Sequence, residues 1–213
     1  MPDDDPPPTD NQVAIAAAHR RGEVAFSGRA GNESIVRRFL DDPDAKVRVA
    51  ALAALVRMGK AVVADINRFL TDRDPGVRRS ACELAAHVPA SLVATRLDDP
   101  DPRVVEAAAF ALGELEESDA TPALAVVART HDDALCRESA VAALGAIGDE
   151  RGRHAVLSAL GDVPAVRRRA VVALAAFDGE DVDAALRERL TDRDWQVRQA
   201  AEDVLGITDE EPR

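Results

Sequence analysis

Apolar and polar residues follow one another along this chain in short blocks with a recurring layout. The block Asp44–Ala51 is the clearest, and its outline returns at Asp74–Ala81 and Asp194–Ala201. In these blocks an aspartate stands three residues before an apolar anchor, and an arginine follows the anchor directly. The anchors in chain order are Val13, Val47, Val77, Val104, Cys136, Val166 and Val197. They recur roughly every 30 residues, a spacing that predicts a repeat protein rather than a single globular core.

The residues after each anchor predict an amphipathic helix, here called helix B. Apolar or small residues recur four, seven, eight and eleven positions after the anchor, which places them on one helix face. The second copy shows this face as Val47, Ala51, Ala54, Leu55 and Met58. The aspartate before the anchor is expected to cap the helix by accepting bonds from its first free N–H groups. These expected caps are Asp10, Asp44, Asp74, Asp101, Asp133 and Asp194.

A shorter helix A is predicted before each helix B. Its copies are expected near residues 33–40, 60–70, 90–97, 119–129, 150–160 and 180–190. Helices of this length are marginal alone in water, so each needs its partner and its neighbours. The first copy is a half unit, with one B-like helix over 10–21 and an irregular link over 22–31. We therefore predict an all-α solenoid of stacked antiparallel helix pairs over residues 9–207, between disordered tails at 1–8 and 208–213.

The repeated strings resemble those of the HEAT-repeat superfamily, in particular the phycobilisome-lyase HEAT-like type. The outline Asp-Pro-Asp-x-x-Val-Arg-x-x-Ala-x-x-Ala-Leu is clearest at 42–55, 99–112 and 192–205. The resemblance implies helix pairs stacked in a right-handed superhelix, with the B helices on the concave side. The family that the strings resemble includes chromophore-lyase subunits, assembly factors and scaffolds. A more distant HEAT-like group consists of DNA glycosylases that bind alkylated DNA.

Composition narrows the set of partners. The formal net charge of −12 argues against a general binder of nucleic acid or anionic membrane, because contacts with phosphate need a basic surface. Aromatic residues make up only 3% of the chain, which argues against a site for a large conjugated pigment or a flipped base. The N-terminal sequence is acidic and proline-rich, unlike a signal peptide, and no apolar run is long enough to span a bilayer. We expect a soluble, cytoplasmic protein.

The arginine after the anchor is the charged residue that recurs most often. One interpretation is a basic stripe for a phosphate-bearing ligand, and the alternative is a structural ladder in which each arginine meets a capping aspartate. The ladder is favoured, because arginine and aspartate occur together in most repeats. Its arginines are Arg48, Arg78, Arg137, Arg167 and Arg198. The histidines and the two cysteines have no metal-ligand spacing and suggest no catalytic group, so neither metal nor cofactor is expected.

Function is expected on the face of the B helices opposite the buried stripe, two and six positions after each anchor. The candidates are Arg79, Glu106, Phe110, Glu138 and Arg168. An aromatic residue among charges suits a protein-binding surface. The alternative is that Phe110 packs against a neighbouring repeat. We therefore predict a non-catalytic scaffold or assembly factor that binds another protein. The alternatives are a bilin lyase-type subunit and, with weaker support, a HEAT-like DNA glycosylase.

Overall fold

A computed structural model describes residues 9–88 and 92–207 of the chain. Within these ranges the regular elements are helices, and no strand occurs. The chain divides into two compact units, residues 1–91 and 92–213. The tails expected to be disordered, 1–8 and 208–213, lie outside the described residues.

The described residues of the first unit, 9–88, contain five α-helices, and pairs of them pack as helix A and helix B. Their bounds are α1 Asp10–Arg29, α2 Glu33–Arg38, α3 Ala45–Arg57, α4 Val63–Leu70 and α5 Pro75–Ala85. A short 3-10 helix, Phe39–Asp41, extends α2. Helix α1 packs on α2 and α3, and α3 packs in turn on α5. The B helices of this unit are α3 and α5.

The second unit repeats the same arrangement. Its α-helices are α6 Pro102–Glu114, α7 Thr121–Thr130, α8 Ala134–Ile147, α9 Glu150–Ala159, α10 Pro164–Ala173, α11 Glu180–Arg189 and α12 Trp195–Leu205. The B helices α6, α8, α10 and α12 pack side by side in chain order, and each A helix packs on the B helix that follows it. The predicted fold class, an all-α solenoid of antiparallel helix pairs, is confirmed.

Small side chains let the B helices approach closely. The anchors from Val47 to Val197 are all buried, as are the alanines four positions after them. A Cβ atom added at Gly145 of α8 would lie only 2.6 Å from the Cβ of Ala173 on α10. The core is therefore built from alanine, valine and leucine because larger residues would force neighbouring helices apart.

Three predictions were wrong, two about the first copy and one about a helix A. The irregular link expected over 22–31 is helical as far as Arg29, so α1 has 20 residues. Gly28 does not break this helix; it allows close approach to Ala54 of α3, whose Cβ would lie 3.2 Å from an added Cβ. The first anchor, Val13, is 48% exposed, because the buried positions of α1 start only at Ala17. The helix expected at 90–97 is described as a 3-10 helix, Val93–Asp98.

Aspartates cap most of the B helices. The side chain of Asp74 accepts hydrogen bonds from the backbone N–H groups of Gly76 and Val77. Side-chain caps of the same kind are made by Asp44, Asp101, Asp133 and Asp194. Asp10 is different: it is the first helical residue, and Thr9 is the cap of α1. The sixth copy begins with Pro164 and has no side-chain cap.

The caps lead to the first testable prediction. Asp74→Ala should lower the free energy of unfolding by about 0.5–2 kcal/mol, because it leaves the first N–H groups of α5 without their acceptor. Asp10→Ala serves as the control, since Thr9 already performs the capping of α1. Urea unfolding followed by circular dichroism measures both. Equal midpoints for Asp74→Ala and the unmodified protein would contradict the capping role.

Candidate partner-binding surface

Three of the arginines that follow an anchor, Arg48, Arg137 and Arg167, join one helix pair to the turn of the next. Arg167 of α10 donates from Nε and Nη2 to the two carboxylate oxygens of Asp192, at 3.0 and 2.7 Å. Its Nη1 donates to the backbone carbonyl of Asp162 at 2.9 Å. Both side chains of the Arg167–Asp192 pair are 5% exposed. Arg48 with Asp72 and Arg137 with Asp162 repeat this bidentate geometry.

The aspartate in these pairs differs from the one expected. The sequence predicted that each arginine would meet a capping aspartate, such as Asp74 or Asp194. The structure instead places Arg48 and Arg167 against an aspartate two residues before the cap. The physical reason is that the cap already accepts N–H bonds from its own helix. Arg78 and Arg198 each donate to the carbonyl of the residue six positions earlier, as Arg48 and Arg137 do.

In these pairs the positive charge of each arginine is neutralised by an aspartate. Hydrogen bonds from Arg167 hold the pKa of Asp192 below its usual range, although burial opposes this shift. Arg137 lowers the pKa of Asp162 in the same way. Both aspartates are therefore ionised at neutral pH and neutralise the arginines beside them. Arg48, Arg137 and Arg167 are consequently not open charges for a phosphate-bearing ligand.

The outward face of α6 and α8 in the second unit carries a groove of about 410 Å³. Phe110 and Leu135 supply its large apolar side chains, and Phe110 is 59% exposed. Small residues complete the lining between them: Gly113, Ala142, Ala143 and Ala146. The charged lining residues are Glu106, Glu114, Glu138 and Arg169. Arg169 lies 3.4 Å from Glu138, so these two form an ion pair.

A second groove, of about 350 Å³, follows on α10 and α12. Its exposed apolar residues are Val172 and Trp195, and the indole side chain is 64% exposed. Arg168, Gln199 and Asp203 supply polar groups. Arg169 lines both grooves. We call the two grooves together the B-helix face of the second unit.

The structure brings most of the predicted surface residues together. Glu106, Phe110 and Glu138 line the first groove, and Arg168 lines the second. Arg79 belongs to the first unit, where it is exposed and bonds to Glu83 at 2.8 Å.

Other lining residues were not predicted from the sequence. These are Glu114, Leu135 and Arg169. Leu135 precedes its anchor, whereas the candidate positions lay two and six residues after each anchor. Residues in the first turn of a B helix can therefore line the groove as well.

The two cysteine thiols are buried in the core. Burial raises the pKa of the Cys136 thiol to about 11, and its Sγ lies 3.1 Å from the carbonyl oxygen of Pro102. Cys82 is fully buried. Among residues 9–88 and 92–207, no three His, Cys, Asp or Glu side chains are grouped so that they could hold a metal ion. In the same ranges no helix has the length and apolar character to cross a membrane.

Comparison with known proteins agrees with this fold. A family model described as HEAT repeats matches residues 90–163. The structure of an engineered protein is similar with a TM-score of 0.59 and 21% identity, covering 82% of this chain and 94% of that one. The Escherichia coli protein YibA is similar with a TM-score of 0.62 and 18% identity, covering 86% of this chain and 73% of that one.

A designed armadillo repeat protein, solved in complex with the peptide (KR)4, is also similar. Its TM-score is 0.50 at 16% identity, and the match covers 94% of each chain. No curated protein matches the chain in sequence. At these identities the structural likenesses define the fold only. The chain thus has a helical-repeat fold of the HEAT and armadillo kind, and residues 90–163 match HEAT repeats specifically.

Proposed function

We propose that this protein is a non-catalytic scaffold or assembly factor that binds a partner protein on the B-helix face of the second unit. The observation that carries the proposal is the exposure of four large apolar side chains along successive B helices. They are Phe110, Leu135, Val172 and Trp195. Exposed apolar groups that lie together and are bordered by charges mark binding surfaces.

The chemistry of this face fits a protein partner better than a small substrate. Both grooves combine small apolar residues with carboxylate and guanidinium groups, and the second adds the amides of Gln196 and Gln199. Aromatic and arginine side chains are over-represented among the residues that carry interface energy. The designed armadillo neighbour, which has the same kind of fold, was solved with a peptide bound.

Replacement of the two aromatic residues tests this proposal. Phe110→Ala and Trp195→Ala should each weaken partner binding by at least about 1 kcal/mol, because central aromatic residues carry much of the energy of an interface. The partner would be identified by cross-linking and mass spectrometry, purified, and titrated by calorimetry. Val126→Ala is the control, since Val126 is an apolar residue 51% exposed but lies on α7, an A helix. Unchanged affinity in both aromatic variants would refute the proposal.

Arg168 offers a second test of the same face. It forms no ion pair with any residue in the described part of the chain. If it lies at the border of the interface, Arg168→Glu should mainly slow association and alter its dependence on salt. Arg79, which pairs with Glu83 in the first unit, lies outside this face and stays a prediction from the sequence.

The finer alternatives need chemistry that the described residues do not favour. Neither groove contains an aromatic cage for a bilin, so a lyase-type subunit of the phycobilisome kind rests on the sequence resemblance alone. A DNA glycosylase would need a basic groove, whereas the first groove contains three glutamates and one arginine.

A further inference from the structure

The groove between α6 and α8 has two acidic groups that no neighbour neutralises. Glu106, Phe110 and Glu114 follow one another at intervals of four residues on α6, which places them on one helix face. Glu138 is paired with Arg169. Glu106 and Glu114 form no ion pair with any residue in the described ranges. An exposed aromatic ring therefore lies between two carboxylates that have no ion-pair partner in the described ranges.

An exposed aromatic ring beside carboxylates suits an arginine side chain. A guanidinium group can stack on an aromatic face and donate two parallel hydrogen bonds to a carboxylate. Its three-carbon stem would cover Leu135 and the alanines of the groove. Lysine supplies the charge without the planar fork, and an acidic side chain would meet like charges.

We infer that the α6–α8 groove binds an arginine side chain within a basic segment of the partner protein. The inference rests on the proposed function and specifies the chemistry of the partner. Charge complementarity supports it on two scales: the groove has an excess of carboxylates, and the whole chain carries a net charge of −12. Long-range attraction would guide the basic segment, and the groove would select arginine.

Synthetic peptides test the inference without knowledge of the partner. Fluorescence anisotropy would measure binding of a labelled octapeptide of alternating lysine and arginine, an all-lysine octapeptide and an all-glutamate octapeptide. We expect binding of the first, weaker binding of the second and none of the third. Equal affinity for the lysine–arginine and all-lysine peptides would overturn the selection of arginine.

Single substitutions then locate the site. Glu106→Gln and Glu114→Gln should each weaken binding of the lysine–arginine peptide by about fivefold. Phe110→Leu keeps an apolar side chain but removes the ring, and should weaken binding by about threefold. Glu23→Gln is the matched control, since Glu23 is an exposed helical glutamate in the first unit. If Glu23→Gln weakens binding as much as the groove variants do, the attraction is general and the inference is wrong.

The identified partner separates failure of the inference from failure of the proposed function. A partner segment that is neutral or acidic, and that is lost with Phe110→Ala but not with Glu106→Gln or Glu114→Gln, would overturn the inference and leave the proposed function standing. A partner indifferent to Phe110→Ala and Trp195→Ala would overturn the proposed function itself.

Discussion

Asp192→Ala is expected to lower the free energy of unfolding by about 3–5 kcal/mol, because it leaves a buried guanidinium without its counter-charge. Arg167 and Asp192 are each 5% exposed, so water cannot replace the lost carboxylate. The same carboxylate also accepts the backbone N–H of Asp194 at 2.9 Å, which orders the turn before α12. The substitution therefore breaks both the connection between α10 and α12 and the local turn.

A surface pair within the same unit provides the control. Asp183 and Arg187 lie 3.6 Å apart on α11, and both are well exposed. Asp183→Ala should change stability by less than about 1 kcal/mol, as is usual for exposed pairs. Urea unfolding followed by circular dichroism would compare the two variants. Similar losses would mean that the buried pair contributes no more than a surface contact, and that the ladder is not a structural link between helix pairs.

The sequence predicted the B helices well because the signals that specify them are local. An aspartate or proline sets the start of a B helix, and apolar residues at helical spacing set its buried side. Val47 and Val197 are buried for this reason, and α3 and α12 begin directly after Asp44 and Asp194. Such signals need only a short stretch of chain to be read.

The errors arose where long-range packing decides the structure. Gly28 looked like a helix breaker, but the position faces Ala54 of α3, and this close approach explains why a residue without a side chain lies there. The arginine partners could not be read from spacing, because Asp192 and Asp194 are equally near in sequence and differ only in which groups they already bind. Local patterns do not contain this information.

Only part of the candidate site was predicted, because local patterns show which residues face outward but not how neighbouring helices pack. Helical periodicity identified the outward positions, and so it found Glu106, Phe110 and Glu138. Whether an outward residue lines a groove depends on the neighbouring helix, as the contribution of Leu135 beside Phe110 shows. The shape of the groove depends further on the close contact of Gly113 with Ala143, which is a property of packing between helices.

A comparison of two phenylalanines separates the core from the binding face. Phe69 of α4 is 1% exposed, whereas Phe110 of α6 is 59% exposed. Phe69→Ala should lower the free energy of unfolding by about 3–5 kcal/mol, because it removes buried apolar surface and leaves a cavity. Phe110→Ala should change it by no more than about 0.5 kcal/mol, since the ring is mostly in water.

Both effects would be measured by urea unfolding, and the affinity of each folded variant for the purified partner would be measured by calorimetry. The expected pattern is crossed: Phe69→Ala loses stability but retains affinity wherever it remains folded, and Phe110→Ala retains stability but loses affinity. If Phe110→Ala is as destabilising as Phe69→Ala, its ring belongs to the packing of the repeat. The first groove would then lose its aromatic contact, and Trp195 of the second groove would be the aromatic residue left on the B-helix face.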